Sequence, residues 1–187
     1  GWGESEGART RLAPYSRVVD VQAAMTFLGI QPEVNDERLG IYGTSYGCAT
    51  VVWTAAHDER VKCTVGVVGM GHGGRWMRSV RRPDEWVDLL EMSQKDREQR
   101  VQTGKSEMAA RDEILLPDRQ SAELASAARA GNPNALSELP IEYIDETLQF
   151  HPEWVVDKIS PRPLLLIAGG DDRLVPPEDC ESLFERA

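Results

Sequence analysis

No apolar run in the chain is long enough to cross a bilayer: the longest, Pro163 to Ala168, is far short of a membrane span. No cationic segment followed by an apolar one opens it either, so no membrane partner is expected. Basic residues are in deficit, 21 against 31 acidic, and the formal net charge of −10 argues against a nucleic-acid backbone as a partner. Cysteine is scarce and odd in number. Cys48, Cys63 and Cys180 have no metal-ligand spacing, so neither a disulfide framework nor a zinc site is implied. They are read as reduced and buried, which favours a cytoplasmic location, although one disulfide beside a free thiol fits the same count. Internal repeats and low-complexity tracts are lacking too. What remains is a chain of 187 residues, 41% hydrophobic and 28% charged, sized for one domain or one domain with an insertion.

The patterning divides the chain in three. In residues 1–74, Pro14 to Gly29 reads as an amphipathic helix with Val18, Val21, Met25 and Leu28 on one face. A short strand over Leu39 to Tyr42 stops at a glycine pair bracketing Ser45, and a helix carrying Cys48, Val51, Val52 and Ala55 follows, fading near His57. A β-branched strand, Val61 to Val68, ends in the glycine-rich run Gly69 to Gly74. This order implies parallel pairing. Residues 75–160 read as an α-helical insertion: Asp84 caps a helix ending at Gly104, Ser106 one stopped by Pro117, and Asp118 one ending at Gly131, with shorter helices over Glu142 to Phe150 and Glu153 to Ile159. In residues 161–187 strand character returns at Pro163 to Ala168, continuous and apolar as in a buried parallel strand, before a loop and a final helix from Pro177.

Gly43-Thr44-Ser45-Tyr46-Gly47 matches the G-x-S-x-G nucleophile elbow, a sharp strand-to-helix turn that lifts a serine hydroxyl above the end of a sheet. Glycines suit such a turn because they let strand and helix approach closely. The Tyr46 N–H, at the start of the helix, is placed to give one donor of an oxyanion hole. An ordinary glycine turn holding a serine is the plainer alternative. A serine nucleophile needs a base and the base a carboxylate, in the chain order Ser, Asp or Glu, His. Asp172, three residues beyond Gly169 in the loop leaving a strand, is the acid candidate, with Asp171 as its neighbour.

Gly43 to Gly47, Asp58-Glu59-Arg60-Val61-Lys62 ahead of a strand, and Pro161 to Pro176 together resemble the α/β-hydrolase superfamily. The resemblance covers both ends of the chain and leaves the insertion as a variable cap. It implies a parallel-sheet α/β-hydrolase core, incomplete here, with an inserted α-helical cap. It aligns Asp172 with the family's aspartate and places the catalytic histidine after the final helix. None of His57, His72 and His151 lies downstream of Asp172. His57 reads as a helix-end or surface residue and His151 as a boundary residue before Pro152. His72, past the second strand on the edge that bears Ser45, either touches substrate or is a loop residue without a function. The segment Gly1 to Gly7 resembles one that lies deep in these hydrolases, so the chain is expected to be an internal piece of a larger one, inactive by itself.

Arg75, Arg78, Arg81 and Arg82 form a basic cluster around Trp76 that either holds a substrate carboxylate or pairs with nearby acids. Trp76, Met77, Trp86, Leu89 and Leu90 read as core more than pocket. The function implied is that of a serine esterase acting on a small-molecule acyl substrate through Ser45, Tyr46 N–H and Asp172. No cofactor or metal is implied, and a homo-oligomer is left open. The Ser-Tyr-Gly elbow also resembles that of prolyl oligopeptidase-type enzymes, so amide cleavage is one alternative. A non-catalytic hydrolase-fold binding protein without the histidine is another.

Overall fold

A computed structural model of the chain describes residues 6–7, 13–115, 122–123, 126–127 and 136–187. In chain order its elements are α1 (Pro14–Gly29), β1 (Gly40–Thr44), α2 (Tyr46–His57), β2 (Cys63–Val67), α3 (Gly73–Ser79), α4 (Pro83–Thr103), β3 (Met108–Ala110), α5 (Arg111–Ile114), β4 (Glu138–Pro140), α6 (Glu142–Leu148), β5 (Leu164–Ile167) and α7 (Pro177–Arg186). Single 3₁₀ turns occupy Asp36–Arg38, Pro152–Trp154 and Val156–Ile159. The chain divides into two compact units, one comprising Pro14–Trp76 with Phe150–Ala187, the other built on Met77–Gln149.

The first unit is organised by a parallel sheet in the order β1-β2-β5. Parallel neighbours need crossovers, and α2 supplies the one between β1 and β2. In register, Tyr42 pairs with Val65 and Val65 with Leu165, and one row further on Thr44 pairs with Val67 and Val67 with Ile167. Side chains alternate across a strand, so the Ile41, Thr64 and Leu164 row faces the opposite way. That face packs on a core of Met25, Cys48, Val52, Ala55, Val61, Val156, Ile159 and Leu183. Each fully buried Val or Leu there contributes about 1.5–3 kcal/mol. The Tyr42 face is open among the described residues: Tyr42 is 66% exposed, Leu165 54% and Ile167 45%. The sequence predicts a buried β5; among the described residues one face has cover, while Leu165 and Ile167 on the other are exposed.

Helix α1 has the expected bounds, with Val18 and Met25 buried, but Leu28 is exposed near its end. The helix expected over Glu153 to Ile159 forms as two 3₁₀ turns instead, and these put Val156 and Ile159 into the core beneath the sheet. The C-terminal end of α2 is closed by Arg162, whose five N–H groups each find a carbonyl: Nη2 donates to Ala55 O at 2.6 Å and Lys158 O at 3.1 Å, Nη1 to Asp58 O and Val61 O at 3.0 Å each, and Nε to Ile159 O at 3.2 Å. One guanidinium thus gives donors to the helix-end carbonyl of Ala55 and to four carbonyls near it, two of which, Asp58 O and Ile159 O, also accept a backbone N–H.

In the second unit α4 ends at Gly104, which holds φ 72° and donates its N–H to Arg100 O, a left-handed stop that glycine accommodates. Its start lies earlier than the expected Asp84 cap. Pro83 takes the first helical position, and the Glu85 carboxylate accepts the Arg82 N–H at 2.9 Å. Ser106 caps no following helix: its hydroxyl donates to Asp96 Oδ1 at 2.9 Å and accepts the Glu142 N–H at 3.0 Å. Beyond it β3 pairs antiparallel with β4, a short ribbon in a region expected to hold helices alone. The helix expected from Asp118 to Gly131 lies outside the described residues apart from residues 122–123 and 126–127.

Candidate active site

Because the three strands of the sheet run parallel, their carboxyl ends share one edge, and the loops leaving that edge carry Ser45 after β1, His72 after β2 and Asp172 after β5. Ser45 is exposed and sits at φ 53°, ψ −125°, a backbone conformation that residues with a side chain rarely adopt. Strain of this kind costs about 1–3 kcal/mol and persists where surroundings over-determine it. Here the Ser45 N–H donates to Val67 O at 2.9 Å and the Ser45 carbonyl accepts the Cys48 N–H at 2.9 Å. A Cβ on Gly43 would run into the Gly47 carbonyl, so the first glycine of the motif is sterically required. The second is not: a Cβ on Gly47 meets nothing within 4 Å, which corrects the expectation that both serve close approach. Tyr46 opens α2, so its N–H lies at the end of the helix where amide dipoles favour negative charge. Its ring lies under the Arg17 guanidinium, 4.6 Å from the centroid.

Cys48 lies one turn into α2. A Cβ on Gly66 or on Gly69 would collide with its Sγ, so both glycines make room for this side chain. Burial, with Cys180 adding to it, pushes the Cys48 thiol up to about 12, and burial also raises Cys180. Neither offers a thiolate near neutral pH to compete with the serine. Cys63, expected to be buried, is exposed at the start of β2.

Asp172 is half-buried and Asp171 exposed. Oδ1 of Asp172 accepts the N–H groups of Leu174 and Val175, both at 2.9 Å, while its own N–H donates to Gly169 O at 3.2 Å. The carboxylate is therefore fixed by its own loop through one oxygen.

His72 follows the strained end of β2, where Val68 holds φ 46° and donates its N–H to Ile167 O at 2.7 Å. Nδ1 of His72 accepts the Arg75 N–H at 3.1 Å, which leaves Nε2 as the protonated nitrogen of the neutral ring. Its ring centre is 3.7 Å from that of His151, which is 7% exposed, and Trp154 lies against both imidazoles. Sequence reading placed His151 at a boundary and missed this pairing of residues far apart in the chain. His57 is exposed at the end of α2, its Nδ1 2.9 Å from Trp53 O.

The basic cluster is dispersed among partners. Arg75 Nη2 reaches Glu153 Oε2 at 2.7 Å and Asp179 Oδ1 at 2.5 Å; Ser182 Oγ donates to the same Glu153 oxygen at 2.7 Å, and Gly71 N–H to the same Asp179 oxygen at 3.2 Å. Burial acts to raise the Glu153 carboxyl, but its bonds from Arg75 and Ser182 outweigh that and hold it below the usual carboxylate range. Arg78 lies over Trp86, Arg81 donates to the carbonyls of Met77, Glu113 and Ile114, and Arg82 pairs with Asp84 and Glu85. These contacts favour pairing within the protein over capture of a substrate carboxylate.

The family model described as prolyl oligopeptidase matches residues 8–117. The chain belongs to that family. An uncharacterised 31.7 kDa protein of the traX-finO intergenic region of Escherichia coli is 30% identical over 185 residues, covering 99% of this chain and 64% of that protein. Thiohydrolase aneE of Aspergillus aculeatus is 24% identical over 203 residues, covering 98% of this chain and 61% of its own. Among solved structures, the α/β hydrolase GrgF from Penicillium superposes with a TM-score of 0.75 at 22% identity, over 98% of this chain and 63% of its own. The fold is that of an α/β hydrolase with an incomplete core. The chain spans a little under two thirds of the length of these relatives. Among the described residues no helix is long and apolar enough to cross a membrane, and no group of three His, Cys, Asp or Glu is arranged to hold a metal ion.

Proposed function

We propose that the protein is a serine hydrolase that cleaves a carboxylic ester or a related acyl bond through an acyl-enzyme. Ser45 Oγ attacks the acyl carbonyl and passes its proton to an imidazole outside residues 1–187. The Tyr46 N–H stabilises the oxyanion of the tetrahedral intermediate, and His72, at the same sheet edge, contacts substrate or oxyanion. Asp172 orients the imidazole and stabilises its charged form. The protonated imidazole then gives its proton to the leaving group, and water attacks the acyl-serine to release the acid. The unit built on Met77–Gln149 corresponds to the inserted cap.

The observation that carries this reading is the positive φ of Ser45 between β1 and α2, held on both sides of the residue by hydrogen bonds. A second reading, cleavage of an amide, is favoured by the prolyl oligopeptidase match over residues 8–117. The name thiohydrolase on one relative adds thioesters to the substrates worth presenting. Matched p-nitrophenyl esters, acyl thioesters and aminoacyl p-nitroanilides offered to the full-length protein separate the readings: ester or thioester turnover above anilide turnover supports the first, and the reverse order replaces it with the second.

A further inference from the structure

Trp76 is 8% exposed and lies in the first turn of α3, where its backbone N–H donates to the His72 carbonyl at 2.9 Å. Its ring meets the Tyr46 ring edge-on, the centroids 6.3 Å apart. Its indole Nε1–H donates to the Leu174 carbonyl at 2.9 Å. That carbonyl belongs to the peptide group whose other end is the Val175 N–H, and the Val175 N–H donates to Asp172 Oδ1. A peptide that accepts at its oxygen is polarised and becomes a better donor at its nitrogen. One indole therefore touches the residue after the nucleophile and both strengthens and aims a bond that holds the acid.

We propose that Trp76 is the positioning residue of the acid loop, holding the Leu174–Val175 peptide against Asp172 so that Oδ1 is occupied by backbone and Oδ2 is presented to the imidazole. The inference rests on the serine-hydrolase reading above. A burial role alone would ask only for ring volume at position 76, whereas this role asks for the N–H. The Arg75 bridge to Asp179, at the start of α7, closes the other end of the same loop, so α3 grips it on both sides of Val175.

The test uses the full-length protein with its best ester substrate. Trp76→Phe keeps an aromatic ring and removes the donor. It is expected to lower kcat about tenfold, the order of one lost hydrogen bond, with KM within about twofold of wild type. A less well-held Asp172 stabilises the imidazolium less, so the acid limb of the kcat/KM profile moves to lower pH. If the phenylalanine variant does not fold, 3-benzothienylalanine at position 76 keeps the bicyclic shape with sulfur in place of N–H and is read in the same way. Wild-type kcat and an unmoved acid limb in a folded variant overturn the inference. Ser45→Ala is run alongside: turnover surviving in it removes the serine-hydrolase reading itself, whereas its loss with a wild-type profile in the Trp76 variant removes only the role of Trp76.

Discussion

The imidazoles of His72 and His151 stack with their centres 3.7 Å apart and their planes tilted by 34°. His151 Nδ1 is buried without a hydrogen-bond partner among the described residues, and the groups facing the pair are Arg75, Glu153 and the Trp154 ring, with Asp179 beyond Arg75. Burial lowers the His151 pKa, and His72 and Arg75 lower it further against an opposing pull from Glu153. A histidine depressed in this way takes up protons more readily when unfolded. Its contribution to stability is intact above the ordinary value of about 6.5 and is lost as the pH falls from there towards the folded value.

Melting temperature followed from pH 7.5 to pH 5 checks this. The wild type is expected to lose more Tm over that window than His151→Phe, because the variant has no imidazole to charge. Carboxylates such as Glu153 and Asp58, held low by arginine partners, carry the same sign at lower pH and remain in both proteins. Parallel curves for the two proteins would contradict the assignment.

The two adjacent aspartates are expected to separate sharply. Asp172→Asn retains an oxygen for the Leu174 and Val175 N–H groups, so its Tm should stay close to wild type. It favours the wrong imidazole tautomer, however, and kcat should fall by about 10³ to 10⁴. Exposed Asp171 contributes only screened charge, and Asp171→Asn should cost far less. Steady-state kinetics on both variants decide it, and a reversed order moves the acid by one residue.

Arg162 answers five carbonyls around the end of α2, the helix that follows Ser45. Arg162→Met strands several of them and should destabilise the protein by about 2–4 kcal/mol in urea unfolding. Arg162→Lys, with three donors on a single nitrogen, should recover only part of that. Full recovery by lysine would show that charge rather than the fork matters.

Local signals were legible and contacts between distant residues were not. The bounds of α1, the strand-turn-helix around Ser45 and the stop of α4 at Gly104 each follow from periodicity or from glycine at a turn, information held within a few residues. The His72–His151 stack, the Arg75–Asp179 bridge and the Trp76–Leu174 bond join residues 79 to 104 positions apart, and no periodicity announces them. Strands β3 and β4, three residues each, are too short for alternation to register. The burial of β5 was misjudged for a different reason: an apolar run reports that a strand is able to be buried on both faces, while cover is supplied by other parts of the chain. The spacing to Gly169 marks Asp172 as the candidate acid, but the two backbone bonds that fix it depend on how the turn at Leu174 closes.

The central claim is that Ser45 is the nucleophile, and covalent labelling reads it directly. Treating the full-length protein with a fluorophosphonate and mapping its peptides by mass should show one adduct, on the peptide that contains Ser45, with the label and ester turnover both lost in Ser45→Ala. An adduct on a different serine, or turnover that survives Ser45→Ala, would contradict the account.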